Sequence, residues 1–229
     1  MSKAKQPAEG AASRLDGNAL RTQRTRSRVL AQSLALFNEL GEAHVTTGMI
    51  ADALDMSPGN LYYHFRNKGQ IIEELFDRFE QRVDVRPRAS GRAAEAIEDL
   101  WLYLHLMLEA IGEYRFIYRN LDDVVGRNRK LRVRFARIVD RQAGAIVALC
   151  ESLVGSGAMQ ARPAQIATLA QNAIIVSTSW LGFAAATGRD GGEAAALGQG
   201  AFQVMSLFAP YLRGEARAHL DSLILEYID

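Results

Sequence analysis

The chain has 229 residues, 48% of them hydrophobic and 23% charged, a composition that allows a substantial core and excludes wholesale disorder. The single cysteine, Cys150, excludes an intramolecular disulfide framework and a cysteine-cluster zinc site. There is no unbroken apolar run of the ~18 residues that a membrane span needs, and no apolar leader at the N-terminus. With five prolines, the chain is expected to be a soluble, cytoplasmic and mostly helical protein.

The net charge of +1 hides an uneven distribution. Residues 1–28 carry seven basic and two acidic side chains, whereas residues 162–229 carry four basic and six acidic ones. A basic end on a nearly neutral chain indicates contact with a polyanion, although a solubilising tail would have the same composition.

The first helical period begins after a polar, Ala- and Gly-rich stretch. Residues 1–21 are predicted to form a disordered basic arm. From Thr22, apolar residues recur at steps of three and four up to Leu40, and Gly41 stands where a helix would end.

Two short helices are predicted next, followed by a longer one. Thr46 is a candidate N-cap for a helix over residues 47–54. Ser57 followed by Pro58 is typical of an N-cap and first helical residue, which opens a third helix through about Phe65. Asn67 can cap a fourth helix that runs to Val83.

Beyond a break at Pro87 and Gly91 the pattern predicts long helices only. Their expected ranges are 93–111, 128–154, 163–186, 193–212 and 214–227, with a short aromatic segment over 114–125. The fold class is therefore all-α: an N-terminal three-helix helix-turn-helix domain and a larger C-terminal helical domain. The expected division is a basic arm over 1–21, a helix-turn-helix domain over 22–68, a connecting helix over 69–90 and a larger helical domain over 91–229.

The two short helices have the spacing of a helix-turn-helix, in which the second helix enters the major groove of DNA. Gly59 allows close approach of the backbone, and Asn60 can pair with the edge of a base. The candidate DNA-binding residues are Thr46, Thr47, Gly59, Asn60, Tyr62, Tyr63, His64 and Lys68. The alternative is a core helix with two buried tyrosines.

The segment from Arg24 to Val83 resembles the DNA-binding domain of the tetracycline-repressor (TetR) family of bacterial transcription regulators. The resemblance rests on Ala35-Leu36-Phe37, Thr46, Ile50-Ala51, the run from Ser57 to Phe65, and Lys68. It implies a homodimer that binds a palindromic operator in double-stranded DNA and leaves it when a small ligand binds the C-terminal domain.

Two positions depart from the family pattern. Asp55 stands where the turn usually has glycine, and it adopts the left-handed conformation less freely. Gly69 stands where an acid usually follows the motif lysine, so the fourth helix lacks a favourable charge in its first turn.

The C-terminal candidates are less specific. The helix around residues 101–109 is apolar on nearly every face and is expected to be buried, with isolated polar groups that can line a ligand cavity. The candidate ligand-binding residues are Tyr103, His105, Glu109, Tyr118 and Trp180. His105 and Glu109 are one turn apart and could instead satisfy each other. No metal site and no cofactor are predicted.

Basic residues recur along 127–141, where most are expected to be solvated, with an entrance for an anionic effector as the alternative. Similarity of residues 113–121 to family members that respond to acyl ligands makes a fatty acid or an acyl-CoA the candidate effector. Large and small apolar residues over 163–212 match the helices that form the dimer interface in the family.

Three classes of function remain open at this point. The first is a DNA-binding regulator, with a repressor favoured over an activator. The second is an enzyme or carrier built on the C-terminal helices, and no phosphate loop, nucleophile elbow or carboxylate pair supports an enzyme. The third is a regulator whose effector is a protein.

Overall fold

The computed structural model describes residues 9–84, 93–188 and 192–225. Within these ranges the regular elements are helical, apart from one antiparallel bridge between Met159 and Leu212. The chain divides into two compact units, with the boundary in the sequence between Phe76 and Asp77. The predicted all-α class is confirmed.

The N-terminal unit, up to Phe76, begins with a long helix. Helix α1 spans Glu9–Leu40, and α2 and α3 span Thr47–Ala53 and Pro58–His64. These three helices pack against one another. The side chains at the centre of this unit are fully buried: Val29, Phe37, Ile50, Leu61, Phe65, Ile71, Leu75 and Phe76.

Helix α1 begins at Glu9, thirteen residues before the predicted start at Thr22. The expectation of a disordered arm over 1–21 is therefore corrected for residues 9–21. Residues 9–21 include three Ala and two Leu, which are strong helix formers, alongside two glycines, and they continue the α1 helix without an apolar period of their own. Residues 1–8 lie outside the described part of the chain.

Helix α4, Lys68–Val83, crosses the boundary between the two units. Asn67 caps its start, as the sequence indicated, and a second bond from Arg66 to Gln70 accompanies the cap. The Asn67 side chain accepts a hydrogen bond from the Gln70 backbone N–H at 2.9 Å, and the Gln70 side chain accepts one from the Arg66 backbone N–H at 2.9 Å. The predicted break at Pro87 and Gly91 lies outside the described residues.

The C-terminal unit, from Asp77 on, is a bundle of long helices. Its elements are α5 (Ala93–Glu113), α6 (Arg115–Arg119), a π-helical turn (Asp122–Gly126), α7 (Arg129–Gly155), α8 (Pro163–Ala186), α9 (Glu193–Ser206) and α10 (Gly214–Leu225). Helix α5 packs against α7, α9 and α10, and α8 packs against α6, α7 and α9. The predicted end of α10 at Tyr227 lies outside the described residues.

Helix α8 carries no charged residue over its 24 positions. By length and composition alone it could cross a membrane, as could the buried core helix of a soluble protein. Its packing against three other helices makes α8 part of the bundle core.

Candidate nucleic-acid interface

Helices α2 and α3 form a helix-turn-helix whose two starts are capped as predicted. The Thr46 side chain accepts a hydrogen bond from the Met49 backbone N–H at 3.2 Å, and Ser57 accepts one from the Asn60 N–H at 3.2 Å. Each bond satisfies a backbone donor that has no partner inside the helix. The caps therefore fix where both short helices begin.

The turn between the helices needs a left-handed residue, and Asp55 supplies it. Its φ is 51°, and it is the one non-glycine residue with positive φ in the described part of the chain. Its N–H donates to the Asp52 carbonyl at 3.1 Å, and the Met56 N–H donates to the Ala51 carbonyl at 3.0 Å. The departure from glycine noted in the sequence thus keeps the turn conformation.

Helix α3 has one buried side and one exposed side. Leu61 and Phe65, four residues apart, are fully buried. Gly59 and Asn60 are exposed, and Tyr62 and Tyr63 are 50% and 78% exposed. The alternative of a core helix with two buried tyrosines is therefore wrong.

Tyr62 is linked to the start of α2. Its hydroxyl lies 3.1 Å from the Thr47 hydroxyl, and either group can donate. A shallow depression of about 390 Å³ lies beside this pair and is lined by Ala43, Val45, Thr46, Thr47, Tyr62, Arg66, Asn67 and Lys68. Hydroxyls, backbone N–H groups and two cations at one concave surface are the groups that bind DNA phosphates.

Lys68, one of the predicted DNA-binding residues, already has partners within the protein. Its ammonium lies 2.7 Å from the Glu42 carboxylate and donates to the Glu42 backbone carbonyl at 2.9 Å. These contacts use two of its three donors. Glu42 precedes Lys68 by 26 residues, so local spacing gives no signal for this pair.

His64 is only partly available to a ligand. Its Nδ1 is buried without a hydrogen-bond partner. Its ring packs edge-on against the Tyr63 ring, with the two ring centroids 5.2 Å apart. Burial, with a smaller contribution from the charge of Arg26, lowers the pKa of His64. A neutral imidazole therefore stands at the end of α3 near neutral pH.

Arg66 is a cation that the sequence prediction left out. It is exposed, and it lines both the depression beside Tyr62 and a second one of about 400 Å³ at the start of α4. Its position directly after the motif phenylalanine, in the turn before α4, was the available signal.

The five predicted ligand-binding residues of the C-terminal unit differ in burial and in their contacts. Tyr103 and Tyr118 are buried, and burial raises the pKa of Tyr103 to about 12. The Tyr118 ring packs against Phe79 at 5.8 Å and Phe135 at 6.0 Å, measured between centroids. Tyr118 also lines a depression of about 520 Å³ between the π-helical turn and α8.

His105 and Glu109 lie on an outer strip of α5. Glu109 is exposed and pairs with Arg82 at 3.1 Å and with His105 at 3.4 Å, which is the mutual satisfaction that the sequence left open. Leu102, on the same strip, is 46% exposed. The expectation that this helix is buried on nearly every face is wrong, because Leu102 and Glu109 are exposed.

Trp180 has a packing contact rather than an open ring. Its indole N–H donates to the Ala196 carbonyl at 2.7 Å, which joins α8 to α9. Gly200 lies against the ring, since a Cβ there would come within 2.7 Å of Trp180 Cδ1.

The basic residues of α7 divide into two groups. Arg134 pairs with Asp77 and Glu80 of α4, both at 2.7 Å, and Arg141 reaches Glu80 at 3.5 Å. Others are exposed, namely Arg129, Lys130, Arg132 and Arg137. Within the described residues no cluster of three or more potential metal ligands occurs.

Comparison with known proteins decides the family. Residues 29–75 match the model of bacterial regulatory proteins of the tetR family, and residues 78–220 match the model described as bacterial transcriptional repressor. The chain belongs to the TetR family. It is thus classed with transcription regulators and not with enzymes, as the sequence predicted.

Individual relatives agree with the family models. A TetR-family regulator from Marinobacter aquaeolei VT8 is 34% identical, with 89% of this chain and 98% of that chain covered and a TM-score of 0.75. A regulator from Saccharomonospora viridis solved with choline shares the fold at 19% identity and a TM-score of 0.61, covering 89% and 96%. TtgR from Pseudomonas putida is 28% identical over 91 residues, which is 40% of this chain and 43% of TtgR. The match thus spans less than half of that curated relative.

Proposed function

We propose that this TetR-family protein is a repressor that binds a palindromic operator as a homodimer and releases it when a small effector binds the C-terminal unit. The exposed side of α3 carries the proposal, because Gly59, Asn60, Tyr62 and Tyr63 lie together on a helix whose opposite side is fully buried. In this scheme α3 enters the major groove, Asn60 contacts a base edge, and Tyr63 contacts the backbone.

The remaining predicted residues have supporting positions. Thr46, Thr47 and Tyr62, with Arg66, line the depression where we place a phosphate. Lys68 has one donor left for the same phosphate while Glu42 holds the other two. His64 contributes through its exposed edge as a neutral group.

A homodimer is supported by the outer side of α8. Ile175 and Phe183, eight residues apart on one face, are 50% and 46% exposed, and α8 carries no charge. An uncharged exposed face of this kind is typical of a protein interface. Two copies are also required to read a palindrome, since one α3 reads one half-site.

The effector is proposed to be small and apolar or amphipathic, with a fatty acid or acyl-CoA as the leading class. Buried aromatic rings around Tyr118 offer an apolar lining, and Arg129 and Arg132 offer exposed cations. The choline bound by the Saccharomonospora relative makes a small cation the competing class. Mass spectrometry of a denatured extract of the purified protein identifies a co-purified effector of either class. We place the protein in the cytoplasm, where its operator is.

The test of DNA binding uses Asn60→Ala and Tyr63→Ala on duplexes that the wild-type protein selects from a randomised library. Asn60→Ala should lose discrimination at one base position, whereas Tyr63→Ala should weaken binding to all duplexes alike. For the wild type, log K should fall steeply with log salt, by about 0.9 for each phosphate contacted. A flat salt response would contradict the proposal.

A further inference from the structure

One arginine of α1 contacts both α4 and the end of α3. The Arg26 guanidinium donates to the backbone carbonyl of His64 and pairs with the Glu74 carboxylate. It also lies over the Phe65 ring, with Cζ 4.3 Å from the ring centroid. Arg26 thus ties together the last residue of α3, the residue that follows it, and α4, all within the N-terminal unit.

The end of α3 depends on an outside donor. The helix has seven residues, so most of its carbonyls lie in the last turn, where no later N–H of the same helix reaches them. At Phe65 the chain is already extended, with φ −139° and ψ 117°. The Arg26 N–H satisfies the His64 carbonyl, and its positive charge is favourable at the negative end of the helix dipole.

Arginine suits this position better than lysine. Its planar guanidinium can donate to a carbonyl and a carboxylate at the same time while its face lies on an aromatic ring. A lysine ammonium would keep the charge but has no planar face to stack on Phe65 and no rigid fork of donors.

We propose that Arg26 is a positioning residue for DNA recognition: it sets the orientation of α3, and thereby of Asn60 and Tyr63, without contacting DNA itself. The inference rests on the proposed DNA-binding function. It separates Arg26 from Arg24 and Arg28, which are exposed on the same helix and are available to phosphates.

The consequence is a loss of specificity rather than of charge contacts. Base-edge hydrogen bonds need α3 at a defined depth and angle, whereas contacts to phosphates are long-range and sequence-independent. Releasing the end of α3 therefore weakens binding to the selected duplex more than binding to a shuffled one.

The test compares Arg26→Met with the matched variant Arg28→Met, which removes the same charge two residues away. Affinity is measured at several salt concentrations for a duplex selected by the wild-type protein and for a shuffled duplex of equal composition. Arg26→Met should bind the selected duplex roughly tenfold more weakly, with little change on the shuffled duplex and an unchanged salt slope. Arg28→Met should keep the wild-type ratio between the two duplexes.

The overturning results are equally specific. A salt slope reduced by about 0.9 in Arg26→Met would make Arg26 a direct phosphate contact. An unchanged ratio between the duplexes would also refute the positioning role. Arg26→Lys should remain impaired, and full recovery in Arg26→Lys would show that charge alone matters.

A readout without DNA separates this inference from the function it rests on. NMR titration of His64 should show a raised pKa in Arg26→Met, since the nearby positive charge is gone. Amide exchange should rise at residues 61–65 and stay unchanged in α7, which also excludes global unfolding. If His64 and these amides are unaffected, the inference fails whatever the protein binds. If the wild type retains no duplex at all, the proposed function fails instead.

Discussion

The exposed side of α3 is made of residues whose identity the fold itself does not require. Gly59 is the clearest example, because a Cβ built there would meet no atom within 4 Å. A glycine at an exposed helical position costs stability relative to alanine. Its presence is explained if another backbone approaches α3 closely, as a DNA strand would.

Gly59→Ala is therefore expected to raise the free energy of unfolding by about 0.5 kcal/mol while lowering DNA affinity. Gly144→Ala in α7 is the matched control, since Gly144 is also exposed with open space around it. That control should gain stability and leave DNA affinity unchanged. Urea unfolding and a DNA-binding titration of each variant measure the two effects, and an unchanged affinity in Gly59→Ala would remove the reason for the glycine.

At the scale of single residues, the sequence predicted the features that depend only on neighbouring residues, such as helix caps. The caps at Thr46, Ser57 and Asn67 followed from residue type and position, and all three are confirmed. The pairing of Lys68 with Glu42 and of Arg26 with His64 depends on contacts 26 and 38 residues apart. No local pattern encodes such contacts.

At the scale of elements, the turn between α2 and α3 depends on one residue in an unfavourable backbone conformation. Asp55 has φ 51°, where a side chain with a Cβ is strained and glycine is not. Helix α4 then continues from the helix-turn-helix into the C-terminal unit. There its acids Asp77 and Glu80 pair with Arg134 of α7, and its Arg82 pairs with Glu109 of α5.

The turn predicts that replacement by glycine and by alanine has opposite orders of stability at Asp55 and at Asp52. Asp55→Gly should be more stable than Asp55→Ala by about 1 kcal/mol, because only glycine relieves the left-handed strain. At Asp52, which is helical and exposed, the order should invert, with alanine more stable than glycine by about 1 kcal/mol. Chemical unfolding of the four variants measures both differences, and the same order at both positions would contradict the account of the turn.

The packing of α9 against α5 and α8 gives a second prediction for elements. A Cβ at Gly200 would meet the Trp180 ring at 2.7 Å, and the ring is anchored by its bond to Ala196. Gly200→Ala should therefore cost about 1–3 kcal/mol. A Cβ at Gly112 would come within 2.6 Å of Leu197 Cδ1, the end of a flexible side chain, so Gly112→Ala should cost less. Thermal unfolding ranks the two, and a larger cost at Gly112 would refute the anchoring of Trp180.

Helix positions were predictable because apolar periodicity, prolines and glycines mark them. Helices α2, α3, α4 and α8 begin where the sequence indicated. The composition of α5 gave a wrong prediction. This leucine-rich helix was expected to be buried on nearly every face, but one strip of it is exposed. Periodicity shows which residues are apolar but not how many neighbours a helix has.

At the scale of the whole molecule, reading a palindromic operator would require two copies of the chain. The uncharged outer side of α8 is the surface we assign to the second copy. Family models cover both units, over 29–75 and 78–220, so the family match extends over most of the chain. The helix-turn-helix could be identified from its sequence motif. The lining of an effector cavity depends on long-range packing, which a sequence motif does not specify.

Phe183→Glu tests that surface. A buried, unpaired carboxylate at an interface is costly, so the variant should shift from dimer to monomer and lose operator affinity together. Leu102→Glu is the matched control, since Leu102 is equally exposed on α5, at 46%. Sedimentation velocity measures the mass of each variant. A dimeric Phe183→Glu, or a monomeric Leu102→Glu, would place the interface elsewhere.

The most direct test of the central claim is sequencing of the genomic DNA fragments that the purified protein retains at moderate salt. The protein is first refolded from denaturant, so that a co-purified effector cannot hold it in the released state. The account predicts an enriched inverted repeat with half-sites about one helical turn apart, on the order of 10 base pairs between centres. Retention of fragments without any shared inverted repeat would contradict a dimeric operator-binding regulator.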